Sequence, residues 1–591
     1  MKYPESAVAI LLDRDSGDCV EATIDLGSRK VINWHIQHNV QPPIMLDEFV
    51  ECEETVKSSP LFIEALEKRG IKDLDLVMVD PWSAGSYGIE PESDKGRRLS
   101  RALSWLRASK NDNGYARPIE GLVAVVDLNK MEIVRIEDEG VTPIPPESGN
   151  WSRQFIEPRN GQQPIDITQP QGPSFTVEGH KITWQKWQFR FAFDAREGLV
   201  LYRIGYEDEG VVRPIIYRAS VCDMVVPYGD PGEIGFRKNA FDIGEYGMGQ
   251  LANPLTLGCD CLGHIQYFDA PMVNSLGELA TIQNAVCLHE EDDGILWKHT
   301  DWRTEEVEVR RSRRLVISFV ATVGNYEYGF YWYFYQDGSL QLEVKLTGIV
   351  NTTALKPGET SDFGTEIAPQ LNAPYHQHIF NARLDMNVDG QQNSVVEMNT
   401  NSVEMGRENP HGNAFKPDSR VFKRELDAQR LCDSSSSRYW KITNNHKKNR
   451  LGEPVSYRLI PGENAITYAN DKAAVMKRAG FMKKHLWVTP YDADQRFAAG
   501  DYPNQREGGD GLPEWTEKNR SISDEDIIVW YTFGHTHIPR PEDWPVMPVH
   551  KIGFMLKPDG FFGSNPSLDV PPTTEIPICC DDSSEGGCHC S

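Results

Sequence analysis

From about residue 175 onward, this 591-residue chain runs as β-branched and aromatic stretches separated by turn residues, with few segments of helical period. Such a texture, sustained over so long a run, predicts a very large antiparallel sandwich. The first 150 residues read differently, with strand and helix signals alternating. A hairpin is predicted around Asp15-Ser16-Gly17, and a helix opened by Ser59-Pro60 and closed by Gly70. A second helix is expected over RRLSRALSWLRASK, where Leu99, Ala102, Leu103 and Leu106 share one helical face. EGLVAVVDLNKMEIVRIED reads as another hairpin, and the Pro/Gly/Gln-rich passage 143–174 as a surface linker. The expected fold is mainly β: a large antiparallel β-sandwich domain preceded by small α+β domains.

The formal charge of −26 argues against nucleic acid, which requires a basic surface, and suits small cationic substrates. No run of 18 apolar residues occurs, so no membrane-spanning helix is expected. The N-terminus lacks the apolar region of a signal peptide, and the final CHCS is no standard peroxisomal ending. A cytoplasmic location is expected, with the peroxisome as the alternative. Eleven cysteines in a chain this long do not make a disulfide framework. Four crowd the tail at Cys579, Cys580, Cys588 and Cys590, where a polar, disordered terminus is preferred over a soft-metal site.

Within the run VISFVATVGNYEYGFYWYFY, Asn325, Tyr326 and Glu327 place polar groups in an otherwise apolar strand. Buried amides and carboxylates need partners, so this cluster suggests a site. His376-Gln377-His378 lies in an apolar stretch, and residues i and i+2 of a strand share a face, so both imidazoles can reach one ion. His535 and His537 form a second such pair downstream. Three imidazoles without cysteine favour copper or zinc, and composition does not choose between them.

The NYEY run, the HQH pair and THIPRPEDWPVMP, with GEYGMGQLANPLTLGCDCLG, HEEDDGILWKH, NARLDMNVDG and NPSLDVPP, resemble the copper amine oxidases in order and spacing. The likeness covers almost the whole chain. It implies that Tyr326 is the precursor of topaquinone, with His376, His378 and His537 as copper(II) ligands. His535 would be a neighbour on the same segment, and Met547 would lie near the copper. By the same resemblance Asp242 is the base that removes the substrate α-proton, Tyr228 hydrogen-bonds the quinone, and Asn325 orients it. Taken alone, Asp242 would read as a turn or cap residue. Glu327 stands where many relatives have Asp, which retains the carboxylate.

The resemblance further implies a Cys261–Cys287 disulfide with Cys259 free. It also implies a peripheral calcium- or manganese-type site at Asp385, Met386, Asn387, Asp526 and Ile527. Asn387 replaces a usual Asp there, which weakens a hard-cation site. The implied division is 1–40, a partial first α+β domain entered midway; 41–155, a second; 156–575, the catalytic sandwich; and 576–591, the tail. The implied protein is a homodimer. It converts a primary amine, water and dioxygen into aldehyde, ammonia and hydrogen peroxide. Ala240, small where several relatives carry an aromatic gate, points to an open entrance and to primary monoamines as substrates. Two other readings stand beside it: a catalytically impaired homologue with a truncated first domain, and a three-histidine metal hydrolase using Asp242 as base. The second leaves Asn325-Tyr326-Glu327 without a role.

Overall fold

The computed structural model describes residues 5–572, so the cysteine-containing tail lies outside the described residues. Two large antiparallel sheets face each other, one of nine strands and one of ten. Their inner faces form one core. Phe330 of the ten-stranded sheet meets Phe380 of the nine-stranded sheet edge-on at 6.1 Å, and Phe334 stacks on Phe189 at 4.2 Å. Beyond residue 175 the only α-helices among the described residues are Ala474–Arg478 and Leu512–Thr516. The β texture of the sequence is therefore the architecture. Some strands are longer than the turn signals suggest: Leu279–Asp301 pairs with Glu306–Val323, absorbing Gly294 in a register shift between Asp292 and Ile295.

Two strands carry the chemistry. Tyr326–Tyr335 sits between Glu306–Val323 and Leu340–Gly348 in the ten-stranded sheet. His376–Met386 sits between Val211–Pro227 and Ile527–His537 in the nine-stranded sheet. All eleven residues of His376–Met386 are buried. A strand covered on both faces can hold polar residues rigidly, provided each finds a partner.

Ahead of the sandwich lie a three-stranded sheet, Ser6–Leu12, Cys19–Asp25 and Lys30–Gln37, and a four-stranded sheet, Val77–Ser83, Leu99–Leu106, Leu122–Asp127 and Glu132–Asp138. The Asp15-Ser16-Gly17 hairpin and the 122–138 hairpin form as read. So does the helix Pro60–Lys68, with Ser59 at its N-cap position and Pro60 in its first turn. A helix not anticipated, Leu46–Ser58, joins it in covering the four-stranded sheet through Cys52, Val56, Phe62 and Leu66.

The helix expected around residues 97–110 is instead the strand Leu99–Leu106. Its helical spacing of leucines is overridden because both faces of this strand are covered. Ser100, Arg101 and Ser104, which a surface helix would expose, are all buried. Arg101 pairs with Glu137, and the preceding Arg98 makes a two-pronged bond to Glu48 of the unanticipated helix. This sheet also braces the sandwich. At its end, the Ser83 amide donates to the Tyr246 hydroxyl at 2.8 Å and the Ser83 hydroxyl to Glu245 at 3.0 Å. Both partners lie in the turn that begins at Asp242.

Candidate active site

Tyr326 emerges from a two-residue hairpin in which Val323 pairs with Tyr326 and Gly324 adopts φ 58°. Such tight connections place a positive-φ glycine where the strand must reverse. Across the next strand Tyr326 faces Gly348, which also has positive φ; a Cβ there would stand 2.7 Å from Asn325 O and 2.8 Å from Glu327 N. The tyrosine backbone is thus seated against bare backbone. Asn325 fixes the approach by donating from Nδ2 to Ile349 O at 2.6 Å. Alternation then separates the polar trio. Tyr326 turns inward, while Glu327 turns to the other face and accepts from Thr322 at 2.9 Å and Asn253 at 3.2 Å. Glu327 belongs to that separate network, where burial pushes its carboxyl upward.

The Tyr326 hydroxyl lies 2.9 Å from His376 Nε2 and accepts from the Asn351 amide at 3.3 Å. Register puts His376 opposite His537 and His378 opposite His535. The ligand atoms of His376, His378 and His537 all lie within 4.8 Å of one another. Each ring has one nitrogen committed elsewhere. His376 Nδ1 donates to Pro374 O at 2.8 Å, His378 Nδ1 meets the Tyr328 hydroxyl at 3.1 Å, and His537 Nε2 donates to Asp543 at 3.2 Å. The remaining nitrogens are Nε2, Nε2 and Nδ1, with His376 Nε2 and His537 Nδ1 3.2 Å apart, and an imidazole oriented through its other nitrogen is what a bound metal requires. Burial first, and then the neighbouring imidazoles, hold His376 and His378 well below the ordinary histidine range, so both are neutral donors. Although burial opposes it, the Arg540 and His537 bonds keep Asp543 ionised, at about 2. This all-nitrogen set with a carboxylate behind it fits copper.

Asp242 opens the turn Asp242–Tyr246, just after the short strand Asn239–Ala240 that pairs with the end of Val211–Pro227. It is 2% exposed. Burial, and after it the charge of Glu245, pushes its carboxyl up to about 8. Glu245 is locked by a buried ion pair with Arg478. Tyr228 stacks on His376 at 4.9 Å and 25°, and burial followed by the nearby Tyr326 raises its hydroxyl well above the usual range. Asn351, whose backbone amide bonds the Tyr326 hydroxyl and whose Oδ1 accepts from Lys238 at 3.0 Å, leaves its buried side-chain Nδ2 without a partner. These neighbours fit a quinone at position 326. A cavity of about 340 Å³ opens onto Tyr326, His378, His537 and Met547. Ala240 is buried beside this region, in the core that holds Tyr228 and Tyr326.

Other expected features are also brought together. Asp385 and Asp526 lie close enough that Asp526 helps raise Asp385 to about 6, after burial and against Arg383. Met386 and Ile527 are buried on the same two adjoining strands, and the Asn387 amide donates to Ile215 O. Cys261 and Cys287 are thiols with sulfurs 2.8 Å apart, and Cys259 is exposed. Tyr328, Asn351 and Asp543 were not singled out from sequence. Asp543 alone carried a local signal, six residues beyond His537 in the acidic PED segment.

A family model described as the copper amine oxidase enzyme domain matches residues 176–577, and one for the copper amine oxidase N3 domain matches 47–154. The chain is 50% identical over 584 residues to a primary amine oxidase of Arthrobacter sp. (strain P1), covering 97% of this chain and 89% of that protein. A peroxisomal primary amine oxidase of Pichia angusta is 36% identical, with 96% and 84% covered. Among solved structures, a copper-containing benzylamine oxidase from Hansenula polymorpha superposes with a TM-score of 0.91 at 34% identity, covering 97% of this chain and 91% of that one.

Proposed function

This chain belongs to the copper amine oxidase family and is a primary amine oxidase using copper, topaquinone and dioxygen; on that premise we propose that Tyr326 is its quinone precursor and Asp242 its base. The observation that carries the assignment is the Tyr326 hydroxyl, 2.9 Å from the nitrogen that His376 offers to a metal. His376 Nε2, His378 Nε2 and His537 Nδ1 would hold copper. Copper and quinone together supply the oxygen chemistry and a two-electron sink for the amine.

Asp242 holds a proton tightly because the site is dry, and the same property makes its carboxylate a strong base toward a substrate α-carbon. Tyr228, packed on His376, and Asn351, through its backbone amide, orient the ring at position 326. Asn325 fixes the backbone that carries it. Amine-dependent peroxide release together with a coloured phenylhydrazine adduct tests the reading. An impaired homologue or a hydrolase would give neither.

The finer assignments are proposals too. Ala240 favours primary monoamines, and comparable turnover of methylamine, benzylamine and a long diamine would refute a preference set there. Asp385, Met386, Asn387, Asp526 and Ile527 form a weak calcium- or manganese-type site, and Cys261 and Cys287 oxidise to a disulfide. The chain divides at about 40 and 155 and works as a homodimer, which light scattering would report. Among the described residues no helix is long and apolar enough to cross a membrane. A cytoplasmic location is proposed, and a fluorescent fusion distinguishes it from the peroxisome.

A further inference from the structure

His535 lies outside the His376, His378 and His537 cluster but is not idle. We propose that Glu463, His535 and His550 form an outer site for a divalent transition metal, zinc(II) or copper(II), at the mouth of the cavity above the tri-imidazole cluster. Their ligand atoms lie within 4.8 Å of one another. One carboxylate bridges both rings: Glu463 Oε1 is 2.5 Å from His535 Nδ1, and Oε2 is 3.0 Å from His550 Nε2. The rings lie nearly face to face, 4.0 Å apart at 30°. Tetrahedral zinc with bonds of about 2.0–2.1 Å needs ligands roughly 3.3 Å apart, a spacing that small side-chain rotations reach from here. Two imidazoles and a carboxylate, with no thiol, select zinc or copper over calcium or magnesium.

The three groups come from separate parts of the chain, held together by backbone. His535 lies in Ile527–His537, His550 in Met547–Asp559, and Glu463 just after Pro454–Pro461. The segment bearing Glu463 is tied down by Ala465 N donating to Gly534 O at 2.9 Å. Its neighbour Gly462 lies so close to the strand bearing His550 that a Cβ would stand 2.2 Å from Gly553 O. The ligands therefore stand on a fixed frame that joins interior strands of both large sheets.

His535 and His550 line the same cavity as Tyr326, His378 and His537. Side-chain exposure falls from 44% at Glu463 and 43% at His550 to 21% at His535 and 12% at His537. An ion entering from solvent meets the outer ligands first. The sites remain distinct, because His537 turns to Asp543 while His535 turns to Glu463.

The test uses copper-loaded, quinone-containing enzyme with zinc chloride added and unbound ion removed by gel filtration. Elemental analysis should find one zinc per chain beyond the resident copper. Added copper(II) should give a second paramagnetic signal that zinc displaces. Glu463→Gln and His550→Asn should each weaken the added zinc by roughly tenfold or more. Both should keep the quinone colour and zinc-free turnover, which also shows that they fold. Absence of zinc beyond the copper in the unmodified enzyme, or full zinc binding by either folded variant, would overturn the site.

Discussion

Replacing Asp242 by Asn should sharply lower turnover while making the protein more stable, and the gain should depend on pH. The carboxyl is raised from a reference of 3.8 to about 8, chiefly by burial. The unfolded chain ionises near the reference value, so between these limits the native state retains a proton that the unfolded state has released. Stability linked to this group is complete below pH 3.8 and is lost as pH rises toward 8, at about 1.36 kcal/mol per pH unit. Over the two units from pH 5 to pH 7 the loss is at most about 2.7 kcal/mol. Asparagine carries no such charge, so the gap between variant and parent should widen by up to that amount and level off above pH 8. Urea unfolding of both proteins at several pH values, followed by tryptophan fluorescence, measures it. In the same samples kcat should fall about 10²- to 10⁴-fold, the usual worth of a positioned base. In the parent, kcat/KM should rise with pH toward about 8. A variant within tenfold of parental kcat, or a stability gap that does not move with pH, would refute the reasoning.

Asp543→Asn should remove the charge behind His537 and lower copper affinity about 10- to 100-fold, read by competition with a chelator. Gly348→Ala should force apart the backbone beside Tyr326, where φ is 97°. A cost of about 1–3 kcal/mol in unfolding free energy, with slower quinone formation, is expected. Unchanged stability would show that the strand relaxes around the new Cβ.

Much of the site was legible because its spacing is local. His376 and His378 share a strand face by simple alternation, and Tyr326 stood out through Asn325 and Glu327. Alternation also shows why that signal was only partly about the site, since Glu327 serves the opposite face with Thr322 and Asn253. Asp242 lay beyond periodicity: its proton affinity comes from burial in a turn braced by Ser83, more than 150 residues away in sequence. Asn351 was invisible for the same reason, since a backbone amide marks no residue type. The strand Leu99–Leu106 imitated a helix because leucine spacing alone does not reveal that Ser100 and Arg101 are covered as well.

The central claim is that position 326 is tyrosine only as synthesised. Metal-free protein should be colourless, and aerobic copper addition should develop a pink chromophore. Mass spectrometry of the proteolytic peptide containing Tyr326 should then show a gain of two oxygens and a loss of two hydrogens. Tyr326→Phe should bind copper through the same three histidines and stay colourless. A peptide of unmodified mass after aerobic loading with bound copper, or a chromophore that persists in Tyr326→Phe, would contradict the account.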